Sequence, residues 1–461
     1  MSSPAPVMAP RSRRSFAGPV VLIALGVIFL LGNMHVITWR SLGEWFARYW
    51  PVLIIVWGVI KLLEDYQAQR QATRPSGIGV GGVFLLLFLI LAGLIATHAS
   101  HVDWRALGDE VDIGDSHFPW AGGNSYNFDD QLEQTFPPGG TLRVVSDRGA
   151  VTVNPSDENK IRVVVHKRIS ADNEQDSKKI DSQTRPTISV AGNLMTVNAN
   201  TTGAGEHSVS TDLEIFIPRK APVDIASKHG DVTVHERDGE LKVAVTHGDV
   251  AISELRGRAA VVIHKGSINA SKIKADLTVD GRVDDATIAD IAGSVSMTGD
   301  YFGDINLSKI ARAVSFKSSR TEMGFARLDG ELTMQSGDLH AKSVAGPLRL
   351  MTRSKDVNLE DVSGDIRLED SNGSVQLHAD KLPLGNIRII NTKGDVQVML
   401  PANASFSIDA RTHSGDIESD FSQVQVNSSG NQTTATGAVG TNGVRVEIVN
   451  DYGSIEIRKA G

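Results

Sequence analysis

The chain has 461 residues, of which 41% are hydrophobic and 44 are glycine; it has no cysteine and a formal net charge of −8 at pH 7. The lack of cysteine excludes a disulfide scaffold, a cysteine-ligated metal centre and a cysteine nucleophile. Residues 1–100 hold 8 basic and 3 acidic side chains, whereas the remainder holds 38 and 51, and all six tryptophans lie in the first 120 residues. The acidic C-terminal part has no basic runs with interleaved aromatics, so we expect no nucleic-acid partner.

Three apolar stretches near the N-terminus predict membrane helices. Residues 16–34 and 77–96 contain no charged side chain, and each is close to the roughly 20 residues that cross a bilayer. The middle stretch is shorter and carries Lys61, so it spans only if the helix begins near Trp45 and charged residues at its ends reach the interfaces. The predicted helices cover about 16–34, 45–63 and 77–98, after a cytoplasmic tail at 1–15.

The first two apolar stretches are related to each other. Without gaps, residues 19–31 match residues 51–63 at 8 of 13 positions, including one proline and one glycine in each copy. Matched proline and glycine are not explained by hydrophobicity, so the second copy is expected to span as the first does. The paired pattern resembles the LiaI/LiaF-like transmembrane region of bacterial envelope-stress proteins over about residues 16–65.

Charge orients these helices. Three arginines precede the first helix, Arg70 and Arg74 follow the second, and acidic residues follow the third. The positive-inside rule then predicts a multi-pass protein of the bacterial cytoplasmic (inner) membrane, with the N-terminus inside and residues 100–461 extracytoplasmic. A twin-arginine export signal at residues 12–16 is the competing interpretation, although no small-residue cleavage site follows it.

The pattern changes after the predicted membrane helices. Residues 99–135 are predicted to be an extracytoplasmic linker, and residues 136–461 a β domain. From Thr141 onward, short runs alternate between apolar and polar residues, as in half-buried strands. No longer segment has a convincing helical period, so we expect an all-β region.

A Gly-Asp-Val-like triplet recurs along the β domain, mostly at intervals of 18 residues. Each interval holds two short strands and two turns, and such a unit buries its apolar face only by stacking on its neighbours about 4.8 Å apart. The prediction is a single-stranded β-solenoid, or β-helix, of roughly ten coils. Within residues 281–330 the series loses register, and a bulge or loop is expected. The predicted turn glycines are Gly230, Gly248, Gly266, Gly337, Gly373, Gly394, Gly415 and Gly453.

Several motifs carry a second resemblance. They are Phe136-Pro-Pro-Gly-Gly140, Gly149-Ala-Val-Thr-Val153, Ile215-Phe-Ile-Pro218, the triplet series and Val398-Met-Leu-Pro-Ala402. In this order they resemble the bacterial putative-adhesin β-repeat family, a toast-rack-like envelope domain, over about residues 134–459. The resemblance implies a fold and an envelope location rather than an activity.

The triplets place one aspartate in most coils. Stacked carboxylates could bind Ca²⁺, with Asp231 and Asp249 as candidate ligands, or they could simply form turns. Serines interrupt the column and the Gly-Gly-x-Gly-x-Asp spacing is absent, which favours the turn interpretation and no metal. The aspartates of the column are Asp231, Asp249, Asp304, Asp338, Asp356, Asp395 and Asp416.

Two histidines repeat with the coil. His229 and His247 are 18 residues apart and could ligate Zn²⁺ or Cu²⁺, or they could be turn residues that recur with the unit. The chain has no Gly-x-Ser-x-Gly elbow, phosphate-binding glycine loop or His-Glu-x-x-His motif. We therefore expect no enzyme activity, no catalytic residue and no cofactor.

The combined pattern predicts a non-enzymatic, membrane-anchored envelope protein. Its solenoid is expected to act as a scaffold or interaction module, in keeping with the envelope-stress resemblance. The expected partners are the lipid bilayer and a membrane sensor kinase, another envelope protein or a cell-wall polymer. A surface adhesin is the alternative, and a polysaccharide-active β-helix enzyme is the third possibility, since such enzymes use outer-face carboxylates.

Overall fold

The computed structural model describes residues 124–201, 209–379, 381–441 and 443–460. The predicted cytoplasmic tail, the three predicted membrane helices and residues 99–123 of the predicted linker lie outside the described residues. Asn124–Gly461 is a compact unit. None of the helices within the described ranges has the length and apolar character needed to cross a membrane.

The described part of the chain holds 33 strands and one helix. The first group comprises β1 (Asn124–Thr135), β2 (Thr141–Arg148), β3 (Val151–Ser156), β4 (Lys160–Ala171), α1 (Glu174–Gln183), β5 (Thr187–Ala191), β6 (Leu194–Asn198) and β7 (Val209–Pro218). The second comprises β8 (Val223–His229), β9 (Val232–Arg237), β10 (Leu241–His247), β11 (Val250–Leu255), β12 (Ala259–Ile263), β13 (Ile268–Ile273), β14 (Leu277–Val283), β15 (Ala286–Ile291), β16 (Val295–Tyr301), β17 (Ile305–Ile310) and β18 (Val314–Lys317).

The remaining strands follow in two further groups. The third group comprises β19 (Thr321–Phe325), β20 (Arg327–Met334), β21 (Asp338–Ala345), β22 (Leu348–Thr352), β23 (Asp356–Glu360), β24 (Gly364–Asp370), β25 (Val375–His378), β26 (Leu384–Lys393) and β27 (Val396–Pro401). The last comprises β28 (Phe406–Ser414), β29 (Ile417–Ser419), β30 (Val424–Ser429), β31 (Gln432–Val439), β32 (Val444–Tyr452) and β33 (Ile455–Ala460).

These strands form two long, mostly parallel sheets. From β8 to β18, each coil contributes one strand to sheet A and the next strand to sheet B. Val250 pairs with Val232 in sheet A and Val243 pairs with Val261 in sheet B, so equivalent residues of successive coils lie side by side. The predicted parallel β repeat is confirmed, since an 18-residue sequence period appears as an 18-residue register.

The two sheets enclose a continuous aliphatic core. Along β9, β11 and β13 the residues alternate between buried and outward-facing, and the buried positions hold valine, isoleucine, leucine or alanine. Because strand side chains alternate between faces, every second residue of both sheets enters the core. One exception to the aliphatic rule is Arg237, which is 1% exposed.

The irregular middle of the series is a reversal of chain direction. Strands β14 and β16 keep register, with Gly281 beside Gly299, so the irregularity predicted within residues 281–330 begins after 281. It includes a 19-residue step from Ala286 to Ile305 and a register shift between Ser308 and Ile310. The break begins after β18, where β19 folds back antiparallel through a tight turn in which Ser318 N–H donates to the Thr321 carbonyl. Strand β20 is antiparallel to both β17 and β21, and the coils then resume in their original direction.

The C-terminal coils do not stack in chain order. Strand β32 lies between β26 and β28, and β33 lies between β27 and β29. The last coil therefore fills a gap between two earlier ones, which corrects the expected sequential solenoid. The hairpin β30–β31 pairs antiparallel with β28 beyond it.

The N-terminal end also departs from the all-β prediction. Residues 124–135, predicted as linker, form β1, which pairs antiparallel with β4 along its length. Helix α1 follows β4; Asn173 caps it by accepting from Asp176 N–H. Lys167 is almost fully buried and bonds Asp181 at 2.8 Å, which fixes the helix to β4. The helix is short and polar, which explains why no apolar period revealed it.

Candidate functional site: the glycine–aspartate corner

The triplets form one long edge of the solenoid, called the corner here, where the chain passes from sheet B to sheet A. Gly248 has φ of +141°, a region that side chains rarely adopt. A Cβ on Gly248 would also overlap the carbonyl group of Gly230 in the coil below. Glycine is therefore needed both for its backbone conformation and for close stacking between coils.

The other predicted turn glycines divide into three kinds. Those with left-handed φ and a crowding carbonyl are Gly230, Gly266, Gly394 and Gly453. Gly373 and Gly415 lack the left-handed φ but are crowded by the carbonyls of Lys355 and Gly453. Gly337 has neither feature, because it lies in the turn of the β20–β21 hairpin and not at a stacked corner.

Four of the seven predicted aspartates bind the backbone of the next coil, while Asp304 accepts from the Gln335 side chain. Asp231 Oδ1 accepts from Asp249 N–H at 2.9 Å, and Asp249 Oδ1 accepts from Ser267 N–H at 2.7 Å. The same bond joins Asp356 to Ser374 and Asp395 to Ser454. Each carboxylate thus accepts from a backbone N–H group of the next coil that would otherwise have no protein acceptor at the corner.

Sequence reasoning missed one member of this column. Asp285 Oδ1 accepts from Asp304 N–H at 2.7 Å, and Asp285 N–H faces Ser267 Oγ at 3.4 Å. The 18-residue spacing from Ser267 to Asp285 was the available signal. The column is continuous where the triplet motif seemed to be interrupted.

The two repeated histidines lie face to face at the start of the corner. The rings of His229 and His247 are parallel within 4°, with centroids 5.0 Å apart. A metal ion binds an imidazole nitrogen in the plane of the ring, and two stacked parallel planes do not meet at one ion. Within the described ranges, no group of three or more histidine, aspartate or glutamate side chains is arranged to hold a metal ion.

Two family models match this chain. The model "Toastrack DUF4097" matches residues 141–458, which is more than half of the chain and includes the whole corner. The chain belongs to the Toastrack DUF4097 family. The model "LiaI-LiaF-like transmembrane region" matches residues 16–62, so the Toastrack domain follows a membrane-associated segment.

Solved structures with low similarity accompany these matches. A putative cell adhesion protein from Clostridium sporogenes is 9% identical, with 72% of this chain and 100% of that chain covered at a TM-score of 0.17. A putative adhesin from Bacteroides fragilis is 11% identical, with 72% and 97% covered at 0.17. A putative lipid binding protein from Parabacteroides distasonis is 9% identical, with 74% and 98% covered at 0.21. No curated protein matches.

The opposite edge of the Toastrack domain has a second left-handed column that contains no glycine. Glu236, Glu254, Lys272 and Asp290 have φ between 49° and 59°. Lys272 Nζ lies 2.8 Å from Glu254 Oε1, and Arg219 Nη1 lies 2.9 Å from Glu236 Oε2. These exposed pairs contribute little stability individually. The column was missed because its only sequence signal is a charged residue before each buried one.

Arg237 is the buried residue at the end of β9 and begins a column that continues with the aliphatic Leu255 in the next coil. Its guanidinium donates to the carbonyls of Ile217, Pro218 and Ala221 at 2.6–3.0 Å, and its neighbour in the next coil is Leu255. Burial lowers the pKa of Arg237 to about 10. The arginine therefore acts as a donor for a turn whose carbonyls have lost access to water.

A row of buried polar side chains lies directly beneath the corner in sheet B. The row crosses adjacent strands, and its consecutive members are Thr352, Asp370, Asn391, Asn450 and Thr412. Each is at most 6% exposed. The triplet pattern did not predict this row, which lies three residues before each corner position, because the equivalent residues of earlier coils are Ser227, Val245 and Ile263 and show no polar repeat.

Proposed function

We propose that this protein is anchored in the bacterial cytoplasmic membrane and presents its Toastrack domain outside the cytoplasm as a non-enzymatic scaffold or interaction module. The observation that carries the proposal is the presence of both matches on one chain, a LiaI-LiaF-like segment at 16–62 and a Toastrack domain at 141–458. Three crossings with the N-terminus inside agree with the distribution of basic residues around the apolar stretches.

The outer face of sheet A supports an interaction role. At the second and fourth positions of β9, β11, β13, β15 and β17, the ten outward-facing side chains include no acidic residue, lysine or arginine, although 22% of the chain is charged; the fifth position of each strand is charged and belongs to the left-handed column. They form a surface of hydroxyl, amide, methyl and imidazole groups that extends over roughly 20 Å, at about 4.8 Å per strand. These positions are Thr233, His235, Ala251, Ser253, Asn269, Ser271, Thr287, Ala289, Asn306 and Ser308.

Charged columns border this neutral face on both sides. The aspartates of the corner lie along one border, where their carboxylates accept backbone hydrogens. The left-handed column from Glu236 to Lys309 lies along the other. A partner on the neutral face would lose few hydrated charges on binding, so docking there costs little desolvation.

Envelope-stress regulation is the role that we assign to this arrangement. The membrane segment would contact a sensor kinase or another membrane protein, while the Toastrack domain contacts an envelope protein or cell-wall polymer. The resemblance of residues 16–65 to envelope-stress proteins supports this assignment. The low-similarity structures add no argument, because their TM-scores are 0.17–0.21.

Two matched variants test the interaction role in the full-length protein. Ser271→Lys places a cation in the centre of the neutral face, and Ser296→Lys places one on the outer face of sheet B in an adjacent coil; both serines are half-buried. Cells expressing each form are crosslinked with formaldehyde, and crosslinked proteins and muropeptides are quantified by mass spectrometry. We expect the partner set of the unmodified protein to persist in Ser296→Lys and to fall at least about 10-fold in Ser271→Lys, a loss of about 1.4 kcal/mol. Equal partner sets in all three forms would contradict a role for this face.

A further inference from the structure

The buried polar row beneath the corner has one member that differs from the others. Thr352, Asn391, Asn450 and Thr412 all carry a hydrogen that they can donate, whereas Asp370 has none when it is ionised. Asp370 is 4% exposed and ends β24, between Thr352 of β22 and Asn391 of β26.

The neighbours use their hydrogens on nearby oxygens. Asn391 Nδ2 donates to the carbonyls of Gly394 and Gly373 at 3.1 and 3.2 Å. Asn450 Nδ2 donates to the Gly394 carbonyl at 2.9 Å, and Thr412 Oγ1 donates to the Gly453 carbonyl at 2.9 Å. The row thus holds the corner carbonyls in place from below.

Several oxygen atoms in this row have no hydrogen-bond donor. Both carboxylate oxygens of Asp370, together with Oδ1 of Asn391 and Oδ1 of Asn450, are buried without a hydrogen-bond partner. The backbone N–H groups of Ser371, Asn372 and Lys355 lie near the Asp370 carboxylate and lower its pKa, although neither carboxylate oxygen has a partner within full hydrogen-bond geometry. Leaving several buried oxygens unpaired is costly, and a single added hydrogen between Asp370 and Asn391 would satisfy two of them.

We propose that Asp370 carries a proton in the folded domain and donates it to Asn391 Oδ1, which makes this coil a proton-operated switch beneath the corner. The proton comes from solvent and returns to it, so no other reactant is needed. Adjacent strands lie about 4.8 Å apart, a distance that side chains of neighbouring coils readily bridge. When the proton leaves, a negative charge remains in the core beside the amide oxygen of Asn391.

The charged groups around Asp370 do not neutralise the negative charge that remains when its proton leaves. Asp356, on the neighbouring corner, repels the ionised form. The Lys355 ammonium donates to the carbonyls of Gln335 and Ser336, away from the carboxylate. Lys393 is exposed at the end of β26. Glu369 is outward-facing and bonded to Arg367.

Burial raises the pKa of Asp370 from 3.8 to about 6 although the backbone N–H groups of Ser371, Asn372 and Lys355 lower it, and Asp356 adds to the rise. Between these two values the folded state holds a proton that the unfolded chain has released, so folding is favoured at low pH and this contribution is lost as pH rises through 6. The difference amounts to a factor of about 100 in the local opening equilibrium between pH 4 and pH 7.

The opening is expected at the corner above Asp370. Lys355, Asn372, Gly373, Ser374 and Lys393 line a surface depression at this place. A change in the protonation of Asp370 would therefore alter the shape of an exposed surface as well as stability. This inference does not depend on the proposed function, since it concerns the domain alone.

Hydrogen–deuterium exchange of the full chain in detergent tests the proposal. Peptides covering residues 366–376 and 387–396 are compared at pH 5 and pH 7.5 after correction for intrinsic exchange. We expect about 10-fold weaker protection at pH 7.5 than at pH 5, and Asp370→Asn should protect these peptides equally at both pH values, because its amide supplies the hydrogen permanently. Asp395→Asn, which changes an exposed corner aspartate, should keep the pH dependence. Equal protection of the unmodified protein at both pH values would overturn the proposal, whether or not Asp370→Asn folds; so would a pH dependence that survives in a folded Asp370→Asn.

Discussion

The backbone N–H of Asp249 donates to Asp231 Oδ1 across 2.9 Å, joining two residues that are 18 positions apart in the sequence. The same carboxylate-to-backbone bond joins Asp249 to Ser267 and Asp285 to Asp304. A column of acidic residues is thereby used to hold successive coils in register, because each carboxylate accepts the hydrogen of the coil above. The acidity of the β domain has a structural cause at this edge.

Removing one bond of the column should cost a modest amount of stability. Asp249→Ala leaves the Ser267 N–H without its acceptor and is expected to lower the free energy of unfolding by about 1 kcal/mol. Asp249→Ser should lower the free energy of unfolding by less, since a serine, Ser267, occupies the equivalent position in the next coil. Chemical denaturation of the three forms measures the difference, and an equal stability for Asp249→Ala and the unmodified protein would refute the structural role.

The stacked corner should tolerate no side chain. Gly248→Ala introduces a Cβ into the space of the Gly230 carbonyl at a φ of +141°, and we expect a loss of about 3 kcal/mol or more. Gly192→Ala is the matched control: its φ is +62°, but no atom lies within 4 Å of the added carbon. Its cost should be only about 1–2 kcal/mol. Similar melting temperatures for the two variants would show that stacking does not constrain the corner.

The carboxylate column and the histidine pair should not respond to metal ions. Calorimetric titration of the full chain with Ca²⁺ is expected to give no heat at Asp231 and Asp249, because one oxygen of each carboxylate already accepts a backbone hydrogen. Titration with Zn²⁺ should likewise leave the melting temperature unchanged, since the parallel rings of His229 and His247 do not converge. A saturable signal that disappears in His247→Ala would reverse this conclusion.

Replacing Arg237 with an aliphatic residue should destabilise the domain, although the equivalent position in the next coil is aliphatic. Arg237→Leu restores the pattern of the column but removes the donor from the carbonyls of Ile217, Pro218 and Ala221. We expect a loss of about 3 kcal/mol, centred on the turn between β7 and β8. Leu255→Met in the next coil is a control that conserves volume and should cost less than about 1.5 kcal/mol. Denaturation midpoints separate the two outcomes, and a stabilised Arg237→Leu would contradict the donor role.

The 18-residue period was enough to predict the repeat from β8 to β16, because equivalent residues such as Val232 and Val250 must lie side by side once units stack. It could not predict the position of Gly453 between Gly394 and Gly415, since a corner can stack on any other corner with the same geometry. The reversal after β18 depends on a short turn at Ser318, and such turns carry weak sequence signals.

The buried polar residues were not predictable from periodicity. Arg237 occupies a position that holds the aliphatic Leu255 in the next coil, and Asp370 lies in a row of polar residues whose position is aliphatic at Val245 and Ile263 in earlier coils. Helix α1 was missed because its helical face is mostly polar and its attachment depends on the buried Lys167–Asp181 pair. Each case requires contacts between segments that are distant in sequence.

The extracytoplasmic position that we propose for the Toastrack domain can be tested directly. The chain has no cysteine, so single cysteines can be placed at Ser3, Ser41, Gln71 and Ser319 and labelled in spheroplasts with a membrane-impermeant maleimide. We expect labelling at Ser41→Cys and Ser319→Cys in intact spheroplasts, and labelling at Ser3→Cys and Gln71→Cys only after the membrane is permeabilised. Protection of Ser319→Cys in intact spheroplasts, with labelling after permeabilisation, would contradict it.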